Sequence, residues 1–251
     1  MTRKYGAALL GASLAATACV ALVAPRAAAT HAGSAASVRP AAPSVSTGTA
    51  TRTSRPLPTI VRQVGGTRGK VAYLTFDDGP NRTYTPQVLR LLRTHHAKAT
   101  FFMIGSSAKA DPALVRRVRA EGHAIGNHTF SHPWLNRLSP AGVAAQLRST
   151  DAVLGRTTCM RPPGGFVNAG VTSVSRGQGK SVVLWSVDTS DWSRPGAARI
   201  TASLVRGARP GAILLMHDGG GPRSQTVAAL GRALTTLSAQ GYRFETLPMC
   251  R

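Results

Sequence analysis

Val71-Ala72-Tyr73-Leu74-Thr75-Phe76-Asp77-Asp78-Gly79-Pro80 is the stretch on which the reading of this chain turns. Val71 to Phe76 is an apolar run of strand length, and two adjacent carboxylates stand where it ends. Successive side chains leaving a strand point to opposite sides. Asp77 and Asp78 are therefore free to do different work, one binding a cation and the other taking a proton from water. Gly79-Pro80 then turns the chain and stops the strand.

The 251 residues hold 31 Lys+Arg against 9 Asp+Glu, a formal charge of +22. Residues 1–66 contain seven of the basic residues and no acid, so residues 67–251 carry 24 against 9, a charge of +15. With acids this scarce, their placement is informative. Asp77, Asp78, Asp188, Asp191 and Asp218 all fall at or just past the ends of apolar strand-like runs. Carboxylates kept for solubility would be spread over helix faces instead, so the clustering points to a site.

Residues 1–29 read as an export signal: Arg3 and Lys4, an apolar Ala7–Val23, then the small residues Ala27-Ala28-Ala29. Cleavage is expected, leaving no stable membrane insertion and a secreted or wall-associated protein. A retained anchor is the competing reading, because the apolar run approaches spanning length; its many Ala and Gly residues weaken it. Cys19 follows Ala16-Thr17-Ala18, a poor match to a lipoprotein signal. Residues 30–66 are Ala-, Ser-, Thr-, Pro- and Arg-rich without an aromatic, too little apolar surface to offset ordering entropy, and predict a disordered basic linker. Residues 67–251 suffice for one compact domain, expected to be monomeric. Two cysteines, Cys159 and Cys250, remain after signal removal; an oxidising compartment would pair them, and two buried free thiols are the alternative.

Past residue 67 strand-like and helix-like runs alternate. Strands are expected at Val71–Phe76, Ala99–Ile104, His123–Ile125, Ser181–Val187, Ala212–Met216 and Tyr242–Leu247. Helices are expected at Thr85–His95 with Val88, Leu91 and Leu92 inward, after Asp111-Pro112, from Ser139-Pro140 to Leu154, at Ala197–Arg206 and at Ser224–Ala239. Such alternation predicts an α/β fold, a β/α barrel of about seven parallel strands, closed or nearly closed. In barrels the site gathers at the C-terminal ends of the strands. Asp77, Asp78, His128, Asp188, Asp191 and His217 would meet there.

His128 and His132 lie four apart; a helical turn would put both on one face, ready to grip one metal with an Asp from another strand end. Such a set leaves coordination positions open, the mark of a catalytic rather than a structural site. His95 and His96 close a helix and read as surface residues.

Five segments occur in order: Thr75–Pro80, His128-x-x-x-His132, Arg161-Pro162-Pro163-Gly164-Gly165, Asp188-Thr189-Ser190-Asp191-Trp192 and Ile213-Leu214-Leu215-Met216-His217-Asp218. Together they resemble the motifs of the polysaccharide deacetylases, the NodB-homology or carbohydrate esterase 4 family, over about residues 68–249. The resemblance implies a distorted (β/α) barrel with a glycan groove. It implies that Asp78, His128 and His132 hold a divalent metal, usually zinc and sometimes cobalt, manganese or nickel. Asp77 would be the general base with Arg161 beside it, and His217 the general acid oriented by Asp191. Trp192 and Leu215 would wall the acetyl pocket. The family usually has an aromatic residue where this chain has Gly164; glycine would still offer the backbone N–H for the oxyanion, but a groove-wall ring is lost, which Phe166 would partly replace.

The activity implied is hydrolysis of the acetamide of N-acetylglucosamine units in peptidoglycan or chitin. An O-acetyl esterase on acetylxylan would suit the same residues, and a non-catalytic basic wall-binding protein is the alternative from another class. Charge alone suggests nucleic acid, but aromatics are 5% and no recognised motif appears, so none is expected. The basic surface instead suits anionic cell-wall polymers.

Overall fold

The computed structural model describes residues 60–250; the expected export signal and most of the expected linker, residues 1–59, lie outside the described residues. The strands are β1 (Ile60–Val61), β2 (Val71–Asp77), β3 (Ala99–Met103), β4 (Ala124–Asn127), β5 (Cys159–Met160), β6 (Ser181–Val183), β7 (Val187–Asp188), β8 (Ile213–His217) and β9 (Arg243–Phe244). The helices are α1 (Thr85–Thr94), α2 (Gly105–Ala110), α3 (Pro112–Ala120), α4 (Pro140–Leu154), α5 (Ala169–Gly177), α6 (Ala197–Gly207) and α7 (Ser224–Ala239).

All ladders between these strands are parallel, in the order β1-β6-β5-β4-β3-β2-β8-β7, with β9 against the start of β2. The run Ser181–Val187, expected as one strand, is two. Its middle changes neighbours: Leu184 N–H donates to Val61 O at 2.8 Å, and Ser186 N–H donates to Ile213 O at 3.1 Å. The chain thereby crosses from one sheet edge to the other. Val64 N–H to Gly211 O at 2.9 Å and an antiparallel bridge between Gln63 and Ala212 stitch the same seam. The result is a curled, distorted barrel.

Sequence explains the helix boundaries. Pro112 and Pro140 open α3 and α4, where a missing N–H costs nothing, and the side chains of Asp111 and Ser139 accept from Leu114 and Gly142 N–H. In α1 the buried stripe is Thr85, Val88, Leu89 and Leu92; Leu89 replaces the expected Leu91, which is only half-buried. Between sheet and helices lies the main core, including Phe76 stacked on Phe101 at 5.1 Å.

One boundary needs correction. Ile60–Val61 is a strand paired with β6, so the linker does not extend to residue 66 and the folded unit already includes residue 60. A two-residue strand has no periodicity to read. Cys159 and Cys250 are joined by a disulfide that ties β5 to the chain's end, both sulfurs packed in a second apolar cluster. Among the described residues no helix is long and apolar enough to cross a membrane.

Candidate active site

The barrel's C-terminal rim collects the acids. Asp77 ends β2 and pairs in register with His217, which ends β8. Residues opposite one another in a parallel ladder face the same way, so these two side chains stand together although 140 positions separate them. Asp78 follows with a left-handed backbone, φ 71°, which swings it out of the strand path. The turn beyond admits only glycine at position 79: a Cβ there would sit 2.5 Å from an Asp218 carboxylate oxygen.

Asp77 is held by Arg161. The guanidinium Nη1 donates to Asp77 Oδ1 at 2.7 Å and to Thr75 Oγ1 at 2.9 Å, Nη2 to Leu184 O at 3.0 Å and Nε to Val183 O at 3.3 Å. Arg161 is 0% exposed and lies over the Phe102 ring at 4.2 Å. A buried cation with every edge engaged and a carboxylate partner is a fixed charge. It occupies Oδ1 and leaves Oδ2 toward the site.

His128 follows β4 at the same rim. Its Nδ1–H donates to Arg161 O at 2.8 Å, so the Nε2 lone pair is presented to Asp78 Oδ1, 3.3 Å away. His132 Nε2 approaches the same oxygen at 3.2 Å. The two histidines do not share a helical turn, as the spacing had suggested. Thr129 and His132 both have positive φ, 68° and 60°, and the segment is a tight irregular loop. Asn127 shapes it: its Oδ1 accepts from Thr129 N–H at 2.9 Å while its Nδ2 donates to Leu147 O and Asp151 Oδ1. Thr129 Oγ1 then accepts from His132 N–H at 3.1 Å. A β-branched residue at positive φ is strained, and strain of this kind concentrates at functional sites.

These three groups fit a cation. Their ligand atoms lie within 4.8 Å of one another, and Asp78 Oδ1, facing both imidazoles, is a buried carboxylate oxygen without a hydrogen-bond partner. Burial would raise the Asp78 pKa, but His128 and His132 outweigh it and hold the group well below the carboxylate range. Burial would depress His128, yet Asp77 and Asp78 push it up.

The other wall carries a second imidazole–carboxylate pair. Asp191 Oδ1 accepts from His217 Nδ1–H at 2.7 Å; Oδ2 accepts from His217 N–H at 2.9 Å and from Thr226 Oγ1 at 2.7 Å. Burial opposes charge on both partners, but the pairing prevails: Asp191 is lowered and His217 raised. Nδ1 is thereby fixed as a donor, and the outer Nε2 is left for chemistry. Asp188, by contrast, only accepts from Ser190 N–H at 2.7 Å and shapes the turn.

Asp77, Asp78, His128, His132, Asp188 and His217 open on one cleft of about 560 Å³, whose walls include Gly164, Trp192 and Leu215, while Arg161 and Asp191 are buried behind it. Several neighbours were given no role in the sequence reading. Thr75 and Thr226 brace Arg161 and Asp191. Asp218, fully buried and accepting from Thr85 Oγ1 at 2.5 Å, is pushed up to about 7 by burial first and then by Asp78 and Asp77. Arg223, Trp134 and Trp185 line the cleft itself. Thr75 and Asp218 lie inside the quoted segments, and Asp218 was one of the five strand-end acids; Thr226, Arg223, Trp134 and Trp185 carry no motif, and only position beside the recognisable segments hints at a role.

A cation cradle, a buried Asp–Arg pair and a carboxylate-oriented histidine on one parallel-barrel rim define a hydrolase of the carbohydrate-esterase type. Residues 64–183 match the profile of the family described as polysaccharide deacetylase. The chain is 45% identical over 184 residues to a peptidoglycan-N-acetylglucosamine deacetylase of Bacillus cereus (strain ATCC 14579), covering 71% of this chain and 86% of the relative. It is 42% identical over 203 residues to a chitooligosaccharide deacetylase of Bradyrhizobium sp. (strain ANU 289), covering 74% and 91%. The crystal structure of the Bc1960 peptidoglycan N-acetylglucosamine deacetylase superposes with a TM-score of 0.72 at 36% identity, covering 76% of this chain and 92% of that one. The chain belongs to the polysaccharide deacetylase family, hydrolases acting on a non-peptide carbon–nitrogen bond.

Proposed function

We propose that the protein removes the acetyl group from N-acetylglucosamine units of a peptidoglycan- or chitin-type glycan. The observation that carries this reading is Asp78 Oδ1, buried and without a hydrogen-bond partner, facing two imidazole nitrogens between the Asp77–Arg161 pair and the Asp191–His217 pair.

Asp78, His128 and His132 would hold one divalent cation, zinc being suited to this nitrogen and oxygen set, with cobalt, manganese or nickel as substitutes; when bound it supplies Lewis-acid polarisation and a lowered water pKa. Asp77, its Oδ1 pinned by Arg161, uses Oδ2 to accept the proton of the attacking water. The water oxygen bonds to the acyl carbon as the carbon–nitrogen bond breaks. His217 Nε2 delivers the proton that the departing amine nitrogen needs, while Asp191 stabilises the charged ring. Gly164 offers its backbone N–H, which has no backbone acceptor among the described residues, to the developing oxyanion. Leu215 and Trp192 hold the methyl group.

The disulfide and the basic, Ala-rich leader support work outside the cell. The charge of +15 on residues 67–251 supports attraction to anionic wall polymers, which salt should weaken. An acetate-release screen over peptidoglycan, chitooligosaccharides and acetylxylan, with and without chelator and added Zn²⁺, tests the reading. Acetate from the first two, abolished by chelation, is expected. Release from acetylxylan alone would overturn it in favour of ester cleavage.

A further inference from the structure

One wall of the cleft lies beyond the groups that handle the acetyl. Trp134 and Phe166 are 43% and 42% exposed, far more than large apolar side chains need be, and their rings meet at 4.9 Å and 52°. Both line the same cleft as Asp77 and His217. The pair is built rather than loose. Leu135, next to Trp134, is fully buried in a cluster with Val143, Leu147 and Met160. Asn168 Nδ2, two residues past Phe166, donates to Asn136 O at 3.5 Å and links the two segments.

Gly164 explains where Phe166 sits. At φ 64° it occupies a conformation that disfavours other side chains, and a Cβ there would lie 2.7 Å from the Phe166 ring. The ring has moved into the space a side chain at 164 would take, and it leans on Trp134. Arg137 is exposed just outside the cleft lining and flanks this wall: its guanidinium lies 4.1 Å over the Trp134 ring. Its backbone N–H donates to Trp134 O, but the guanidinium makes no hydrogen bond or ion pair among the described residues, so its N–H edge is unspent. Such a group is a planar, bidentate donor suited to carboxylate.

We propose that Trp134, Phe166 and Arg137 form a subsite for an amino sugar bearing a carboxylate, such as a lactyl ether, adjoining the sugar whose acetamide is cut. The apolar C–H face of the sugar ring packs on the aromatic step, and the carboxylate meets Arg137. A neutral homopolymer satisfies only the rings. The inference rests on the deacetylase reading and sharpens it, favouring a glycan of alternating neutral and acidic amino sugars over chitin.

The test uses tetrasaccharides of alternating N-acetylglucosamine and its 3-O-lactyl ether, with the carboxylate free or converted to a primary amide. Binding is measured by calorimetry on the full chain carrying Asp77→Asn, and acetate release on the wild type. The free acid is expected to bind about tenfold more tightly than the amide, in line with a charge-assisted contact at an open site. Adding Arg137→Gln should bring that ratio to about one, and Phe166→Ala should weaken both forms alike. Equal binding of acid and amide, a ratio that survives Arg137→Gln, or no binding of either would overturn the subsite. If the ratio stands while no substrate yields acetate, the deacetylase reading fails and the subsite does not.

Discussion

β4 has a buried histidine at each end, and the two behave in opposite ways. His123, before the strand, is 7% exposed; His128, after it, is 2% exposed. His123 Nδ1 accepts from Ala99 N–H at 3.2 Å, and its ring stands edge-on to Phe101. Burial, then nearby Lys98, lowers its pKa to about 4. His128 is more deeply buried yet is pushed up, because Asp77 and Asp78 face it. Burial alone makes a histidine a neutral packing group; carboxylates at the strand's C-terminal end offset burial and fit His128 to the proposed cation site.

The sharpest break of this contrast is His128→Ala. It should abolish cation binding and reduce acetate release on the order of a thousandfold, read by metal analysis and by turnover. Asp77→Asn should separate the two readouts, keeping the cation while losing about 10²–10⁴ in rate; a near-normal rate would mean that Asp77 is not the base.

Asp191→Asn probes the second pair. His217 is raised above 6.5 with Asp191 as its main support, so its protonated form persists to higher pH than an unpaired histidine's and the rate should fall only as pH rises through that raised value. The substitution should draw the alkaline limb of the pH–rate profile toward acid and lower the maximum about tenfold. An unmoved limb would detach His217 from proton delivery.

The smallest effect belongs to the other end of β4. His123→Leu should leave cation binding and turnover in place and cost about 1–3 kcal/mol in denaturant unfolding, from an unpaired Ala99 N–H. The folded pKa near 4 lies below the unfolded value of about 6.5. The unfolded chain therefore binds more protons between them, and the neutral ring's contribution is present above 6.5 and lost as pH falls toward 4. His123→Leu should flatten that acid-side slope.

The carboxylates were legible in the sequence because Asp77-Asp78 and Asp218 abut apolar runs, and α3 and α4 because proline and a capping side chain mark their starts. What escaped was set by contacts across the fold. β1, β7 and β9 have two residues each, and neighbouring strands define them more than composition does. The loop joining His128 to His132 depends on the Asn127 amide bridging Thr129 to α4, which spacing four apart could only render as a helical turn. The lean of Phe166 into Gly164's space depends on φ, and the role of Trp134 on what lies beside it.

The most direct measurement is calorimetric titration of chelator-treated protein with Zn²⁺, followed in parallel by acetate release from an N-acetylglucosamine oligomer. One ion per chain should restore turnover in the wild type and in His123→Leu but find no site in His128→Ala. Acetate release unaffected by chelation, or the same ion bound by His128→Ala, would contradict a cation site at Asp78, His128 and His132.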